Sequence, residues 1–331
     1  MRGWLIGPLA VAMLAAAGGA RAENGPVVLP DPAPTVSERL GDEAAVRAPR
    51  VRIGLDSDEP QQVRVGALGG GYRILHGRSG REVWAGRAEG DVLVVPEGGR
   101  AVSQVTVYRV QVGSFRNERE ARSLAESLER EYRQPADAYW QASRGVWRVR
   151  VGREERRAGL DALLRRLRNQ GYPDAWIASE PRERREGGAL RLLDSRWEVH
   201  SSGVDTLVFV PAPGARLSVD GRPYRGLVEV LLDPYGRLQT VNELPLESYL
   251  RGVVPKELGP AAWPEVEALK AQTIAARTYI LANLGQYVDE GYDICDTPRC
   301  QVYGGSAAEH PLTDRAIRET RGEILVYDGE P

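Results

Sequence analysis

One carboxylate and two cations stand out for their type and spacing. Glu257 lies among Val253, Val254, Pro255, Leu258 and Pro260, in what reads as a loop after a strand-like apolar run. A carboxyl group held among apolar neighbours resists ionisation, so partial burial would make Glu257 a proton donor near neutral pH. Downstream, Lys270, Ile274 and Arg277 fall at i, i+4 and i+7 and share one helical stripe. The two cations could flank Glu257 and hold ligand oxygens, or form the solvated edge of a buried helix. Gln301 and Tyr303 could line the same cleft or serve core and turn roles. Just before them lie the only cysteines, Cys295 and Cys300. A close pair in an exported chain most often forms a disulfide, and a zinc site is the alternative.

Such groups need rigid elements behind them. The cationic stripe belongs to a long Ala-rich helix, with Pro264 suited to its first turn and Glu265 and Glu267 to its positive end. Ala268, Ala271, Ala275 and Ala276 let other backbone approach that helix closely. Upstream, 189–254 alternates apolar and polar residues in short runs, with tight turns such as Asp220-Gly221. The same period-2 pattern fills 50–106, where His76 is a lone histidine rather than a ligand. The two β-rich parts read as one larger unit interrupted by an insert, giving an α+β fold. A charged stretch from Pro181 to Gly188 reads as a solvated hinge at the end of that insert.

The insert is an internal repeat. The run YRVQVG at 108–113 precedes a helix-period segment at 117–132, and WRVRVG at 147–152 precedes another at 156–169. Ala121, Leu124, Ala125 and Leu128 make one apolar face, and Leu160, Leu163, Leu164 and Leu167 make the other. Asn117 is a credible N-cap with Glu120 three residues on. With strands near 136–141 and 175–179 this predicts a βαββαβ unit with two helices on one sheet face and the other face open. Tyr108 or Val110, with Gln111, Trp140, Trp147 and Arg148, are candidates for the open face. The words VYRVQVGSFRNEREARSLAESL and VWRVRVGREERRAGLDALLRRLRNQGY resemble the SPOR domain over 107–182. The resemblance implies binding to peptidoglycan glycan strands stripped of stem peptides. A purely structural adaptor is the alternative.

A second resemblance covers 224–331. The words GVVPKELG, WPEVEALKAQTIAARTYIL, YDICDTPRCQVYGG and AIRETRGEILVYDGEP look like the SpoIID/LytB family. It implies a lytic transglycosylase acting on denuded glycan, with Glu257 as catalytic acid/base and Lys270 and Arg277 important to activity. In that chemistry the sugar's own C6 hydroxyl is the nucleophile, so one carboxyl can serve as acid and then base. No cofactor is required. Some members bind zinc through Cys and a nearby His; here Arg299 stands where that His would be, with His310 the nearest substitute and His200 remote. The family pattern continues past Pro331, so the chain reads as truncated at its C-terminus. The rival function is a non-catalytic wall-binding protein that enhances another cell-wall hydrolase.

The N-terminus completes the expectation. Met1-Arg2, the apolar run Trp4–Ala17 and Ala20-Arg21-Ala22 form a secretory signal peptide over 1–22, or else an uncleaved anchor. Residues 23–49, rich in Pro, Ala, Asp and Glu, read as a disordered linker. Either reading places the remainder outside the cytoplasmic membrane, in the periplasm or on the cell-wall side. A net charge of −2 over 331 residues gives no basic excess for nucleic acid, and 42% apolar content supports sizeable cores.

Overall fold

The computed structural model describes residues 49–55, 61–77, 79–84, 90–142, 144–194, 196, 199–233, 235–327 and 331. The signal-peptide reading and nearly all of the linker reading lie outside the described residues. Among the described residues no helix is long and apolar enough to cross a membrane.

In chain order the elements are β1 (Arg50–Leu55), β2 (Val63–Leu68), β3 (Tyr72–His76), β4 (Glu82–Trp84), β5 (Val92–Phe115), α1 (Glu118–Tyr132), β6 (Ala136–Gln141) and β7 (Val146–Glu154). They continue with α2 (Asp161–Asn169), β8 (Trp176–Leu193), β9 (Val199–Val204), β10 (Thr206–Pro211), β11 (Arg216–Val219), β12 (Arg222–Tyr224), β13 (Leu227–Leu232) and β14 (Leu238–Pro245). The last are α3 (Leu246–Glu257), α4 (Val266–Ala282), β15 (Ile294–Cys295) and α5 (Pro311–Glu319). The fold is mixed α+β.

One sheet has the order β15-β1-β14-β13-β10-β3-β4, and the other runs β12-β11-β2-β5-β7-β6 with β8 and β9 beside β5. Strands from before and after the insert therefore interleave: β1 pairs antiparallel with β14, β3 with β10, and β2 with β11. Their apolar faces close on one core, which also takes Leu246, Tyr249, Leu250, Val253 and Val254 of α3 and Ala276, Tyr279 and Ile280 of α4. Buried charge crosses this sheet in paired form. Arg52 bonds Glu229 at 2.5 Å and Glu243 at 3.2 Å, and Arg50 bonds Glu243 at 2.9 Å. Paired in this way, the buried ions avoid the full desolvation penalty of lone charges.

The insert folds as β5-α1-β6-β7-α2-β8, with sheet order β8-β5-β7-β6. Its core holds Val110, Ala121, Ala125, Leu128, Val149, Val151, Leu160, Leu164 and Leu167. Asn117 caps α1, its Oδ1 accepting from the Glu120 amide at 3.3 Å. Arg133 closes the helix in the left-handed region, at φ 51°, its amide bonding Glu129 O at 2.9 Å. A residue with a Cβ pays about 1 kcal/mol for that conformation, where glycine would pay almost nothing.

Two expectations need correcting. Pro181–Gly188 is not a solvated hinge. It is the middle of β8, paired antiparallel with β5 from Leu93 to Gln111, so a two-stranded ribbon joins the insert to the larger unit. The ribbon strands are mostly exposed on both faces, and so carry no hydrophobic period to reveal them. The candidate open face also divides differently. Val110 is core on the helix side, and Trp140 and Trp147 pair with each other at 5.6 Å, with Arg122 of α1 over the Trp147 ring. Gln111 and Arg148 lie on the other face, bonded to one another at 3.0 Å, and Arg150 there stacks over Tyr139 at 4.6 Å. Arg150 also pairs with Glu180.

Candidate functional site

Glu257 is the last residue of α3, not a loop residue. The run that looked strand-like is helical because Leu246, Tyr249, Leu250, Val253 and Val254 fall at i, i+3, i+4, i+7 and i+8 and bury one face. Pro255 is tolerated within the last turn, and Leu258 closes the helix with its amide on Val254 O at 3.0 Å. Gly252 is required by close packing. A Cβ there would meet the Tyr303 ring at 2.4 Å.

The Glu257 carboxyl is partly buried, and Oε1 accepts one hydrogen bond, from the Val302 amide at 3.2 Å. Burial pushes its pKa above the usual carboxylate range, and the Val302 bond opposes this only in part. Its place at a helix C-terminus acts in the same direction as burial, since the carbonyl end of the dipole disfavours negative charge. Among the described residues no ion pair engages Glu257.

The two cations are engaged by other carboxylates. The Arg277 guanidinium is 1% exposed and grips Glu247 through Nε and Nη2, both at 2.9 Å, with Nη1 on the Glu323 carbonyl at 2.9 Å. Lys270 bonds Glu267 and Glu319, each at 2.8 Å. The stripe is real, but its partners lie at the start of α3, on α4 itself and at the end of α5. Arg277 thereby ties α4 to the helix whose far end carries Glu257.

Gln301 and Tyr303 also turn inward. Gln301 Oε1 accepts from Tyr249 Oη at 3.1 Å, and its Nε2 points to Ala276 O at 3.5 Å. Tyr303 donates to Asn242 Oδ1 at 2.9 Å and packs against the Tyr249 ring at 5.2 Å. Both are buried. They fix the loop that presents the Val302 amide, rather than offering free groups to a ligand.

Cys295 and Cys300 form a disulfide, with Cα atoms 5.6 Å apart. Joined in this way, the sulfurs offer no thiolate to a metal. The other proposed ligand is also committed. His310 is the N-cap of α5, its Nδ1 accepting from the Leu312 amide at 3.3 Å. Among the described residues no group of three or more His, Cys, Asp or Glu is arranged to hold a metal. Arg299, in place of the family's histidine, sends Nε to Cys295 Sγ at 3.3 Å and stacks over Tyr287 at 4.6 Å. The disulfide sits on β15, which pairs parallel with β1, so the loop carrying Val302 is anchored to the main sheet.

Tyr279 was not singled out from the sequence. It lies one turn beyond Ala276 on α4, on the site side of the helix, and is 6% exposed. Its hydroxyl accepts from Nη1 of Arg133, a residue of the insert, at 2.8 Å, and the same guanidinium lies 4.8 Å from the ring centre. Burial raises the Tyr279 phenol pKa, the Arg133 charge and hydrogen bond oppose this, and the Glu257 charge raises it further. Tyr279 thus bonds Arg133 and also feels the charge of Glu257. No pattern in the sequence could have revealed this, because the contact joins positions 146 residues apart.

Comparison with known proteins agrees with this division of the chain. Residues 234–327 match the family model described as Stage II sporulation protein, SpoIID, and residues 104–179 match that of the SPOR domain. An uncharacterized protein of Brachyspira hyodysenteriae is 36% identical over 137 residues, covering 40% of this chain and 36% of its own length. The amidase enhancer of Bacillus subtilis is 43% identical over 115 residues, covering 34% of this chain and 15% of that protein. Stage II sporulation protein D of Bacillus subtilis is 38% identical over 109 residues, covering 28% and 31%. The chain spans about a third or less of the length of these curated relatives. Among solved structures, the peptidoglycan-binding domain of the Bacillus subtilis cell wall lytic enzyme CwlC aligns with 23% identity and a TM-score of 0.21, over 24% of this chain and 98% of that one. The stretch similar to Stage II sporulation protein thus carries Glu257, the α4 helix and the disulfide, and the stretch similar to the SPOR domain falls in the insert.

Proposed function

We propose that this protein binds peptidoglycan and cleaves its glycan strands as a lytic transglycosylase, with Glu257 as the single acid/base. The carrying observation is the state of that carboxyl: partly buried, bonded by one backbone amide, raised in pKa, and without an ion pair among the described residues. Such a group is held ready to give up a proton. Glu257 donates its proton to the glycosidic oxygen as the C1–O bond breaks. The resulting carboxylate then takes the proton of the sugar's C6 hydroxyl as that oxygen attacks C1, closing a 1,6-anhydro ring. Atoms balance without water or a second carboxylate, whereas hydrolases usually pair two. No cofactor enters this scheme.

In this reading the SPOR domain supplies the grip on denuded strands. Its helix-free face presents Arg148 and Tyr139, which suit sugar oxygens and ring faces, over Gln111 and Arg150, which are buried and hold them in place. Arg277 and Lys270 serve the site by holding α3, α4 and α5 together. The disulfide fits an exported protein working on the wall side of the membrane, where thiols oxidise.

A second reading rests on the likeness to the amidase enhancer, together with the fact that Lys270 and Arg277 engage other carboxylates. In it the chain binds the wall and assists another hydrolase. One experiment separates them: incubation with denuded glycan strands, followed by mass spectrometry for 1,6-anhydro ends. Wild type should produce them, and Glu257→Gln should lose at least about 100-fold, the usual contribution of a positioned acid. Equal products from both proteins sink the assignment of Glu257. Clear binding without products favours the enhancer.

A further inference from the structure

The SPOR domain does not hang from a flexible tether. Two paired strands carry it out and back. Three of its side chains then return to the Glu257 unit at separate points. Arg133, at the end of α1, bonds Tyr279 of α4 at 2.8 Å. Glu129, one turn earlier, faces Arg299 at 4.0 Å beside the disulfide. Glu155, just past β7, accepts from Tyr235 Oη at 3.0 Å. Between these contacts lies a polar cavity of about 310 Å³, lined by Arg109, Asp137 and Arg153 on one side and Asp233, Arg237 and Arg299 on the other. The junction is a polar dock against the side of the molecule that holds Tyr279 and the Cys295–Cys300 loop.

Arg133 is the informative residue. Its backbone is left-handed, at the one cap position where glycine is the locally favoured choice. An outlier kept against local preference points to a role for its side chain. That side chain is committed to Tyr279, whose phenol also feels the Glu257 charge.

We propose that Arg133 is a positioning residue that fixes the SPOR domain against α4, so that one glycan strand bound by the SPOR domain is presented to Glu257 at a set offset. This rests on the glycan-cleaving reading above. The domain then guides long strands into the site, instead of merely raising the local concentration of wall. A rigid dock supplies the second binding event at high effective concentration, and a loosened one loses that advantage. Short substrates that reach only Glu257 gain nothing from it.

The variant Arg133→Gly tests this cleanly, because glycine suits the left-handed cap and α1 keeps its end. Cleavage of long denuded strands by the full chain should fall about tenfold in kcat/KM. Cleavage of a short denuded oligosaccharide, such as a tetrasaccharide, should stay within about twofold, and the fragment lengths released from long strands should broaden. Arg133→Lys, which keeps a charge and a donor, should recover part of the loss. Tyr279→Phe should lower long-strand cleavage in the same way, and the double variant should lose little more than either alone. Equal losses on long and short substrates, no loss at all, or additive losses would overturn the proposal while leaving Glu257 in place. Wild type that makes no 1,6-anhydro ends, or Glu257→Gln that makes as many, would instead overturn the cleavage reading on which it rests.

Discussion

Glu257 carries its own thermodynamic signature. Its folded pKa is raised by burial, so the folded state holds that proton more tightly than the unfolded chain does. The stability this represents is fully present below the ordinary carboxylate range and is lost as pH rises through the folded value. Glutamine has no charge to desolvate. Glu257→Gln should therefore melt higher than wild type at neutral pH, and the gap should close as pH falls below the ordinary carboxylate range. Thermal unfolding at both pH values checks this. A gap that persists at low pH, or a less stable variant at neutral pH, would show that the carboxyl ionises without penalty. The chemistry of Glu257 was legible in the sequence, because its apolar neighbours are local. The partners of Lys270 and Arg277 were not. Spacing placed both on one stripe, but nothing local says that Glu247 meets Arg277 or that Glu319 meets Lys270.

At the scale of elements, the site depends on how α3 and α4 are held. The Arg277–Glu247 pair joins the middle of α4 to the first turn of α3, with the guanidinium 1% exposed and Glu247 29% exposed. Arg277→Ala removes a buried charge pair but leaves a carboxylate that can still reach water. The expected loss is about 3 kcal/mol, the lower end for breaking a buried pair. Chemical denaturation measures it, and a loss under about 1 kcal/mol would mean that the helices are held by apolar packing alone. The α3 helix itself was misread as a strand and loop, for a physical reason. Val253 and Val254 favour strands, Gly252 and Pro255 disfavour helices, and the run is short. Tertiary burial of one helical face outweighed those preferences. The same packing demands Gly252, since the Tyr303 ring occupies the space of a side chain.

For the whole molecule, the ribbon of β5 and β8 joins the insert to the unit that carries Glu257. The run RERREGG from Arg182 to Gly188 offers trypsin three arginines, Arg182, Arg184 and Arg185, yet it lies in a hydrogen-bonded ladder with Gly98 through Val105. A paired strand resists the extended fit a protease requires, so opening must come first. Limited trypsin treatment should leave the ribbon intact under native conditions and cut it in moderate urea. Rapid native cleavage between Arg182 and Arg185 would show that the ladder is not formed. The docking contacts of Arg133, Glu129 and Glu155 act at this scale too, since each links residues far apart in the chain.

The sequence by itself determined whatever depends on local pattern. The two helix faces of the insert, the Asn117 cap, the period-2 strands, the carboxyl among apolar neighbours and the close cysteine pair are all short-range, and each is written in adjacent residues. The tertiary structure decided what depends on which distant groups meet. It joined the two cysteines, turned Gln301 and Tyr303 inward, and gave Arg277 to Glu247. It also extended the charged hinge into a strand, and set Arg133 of the insert on Tyr279 of α4. Those outcomes turn on burial and pairing across long sequence separations, where local preference is a weak guide and the surrounding core makes the choice.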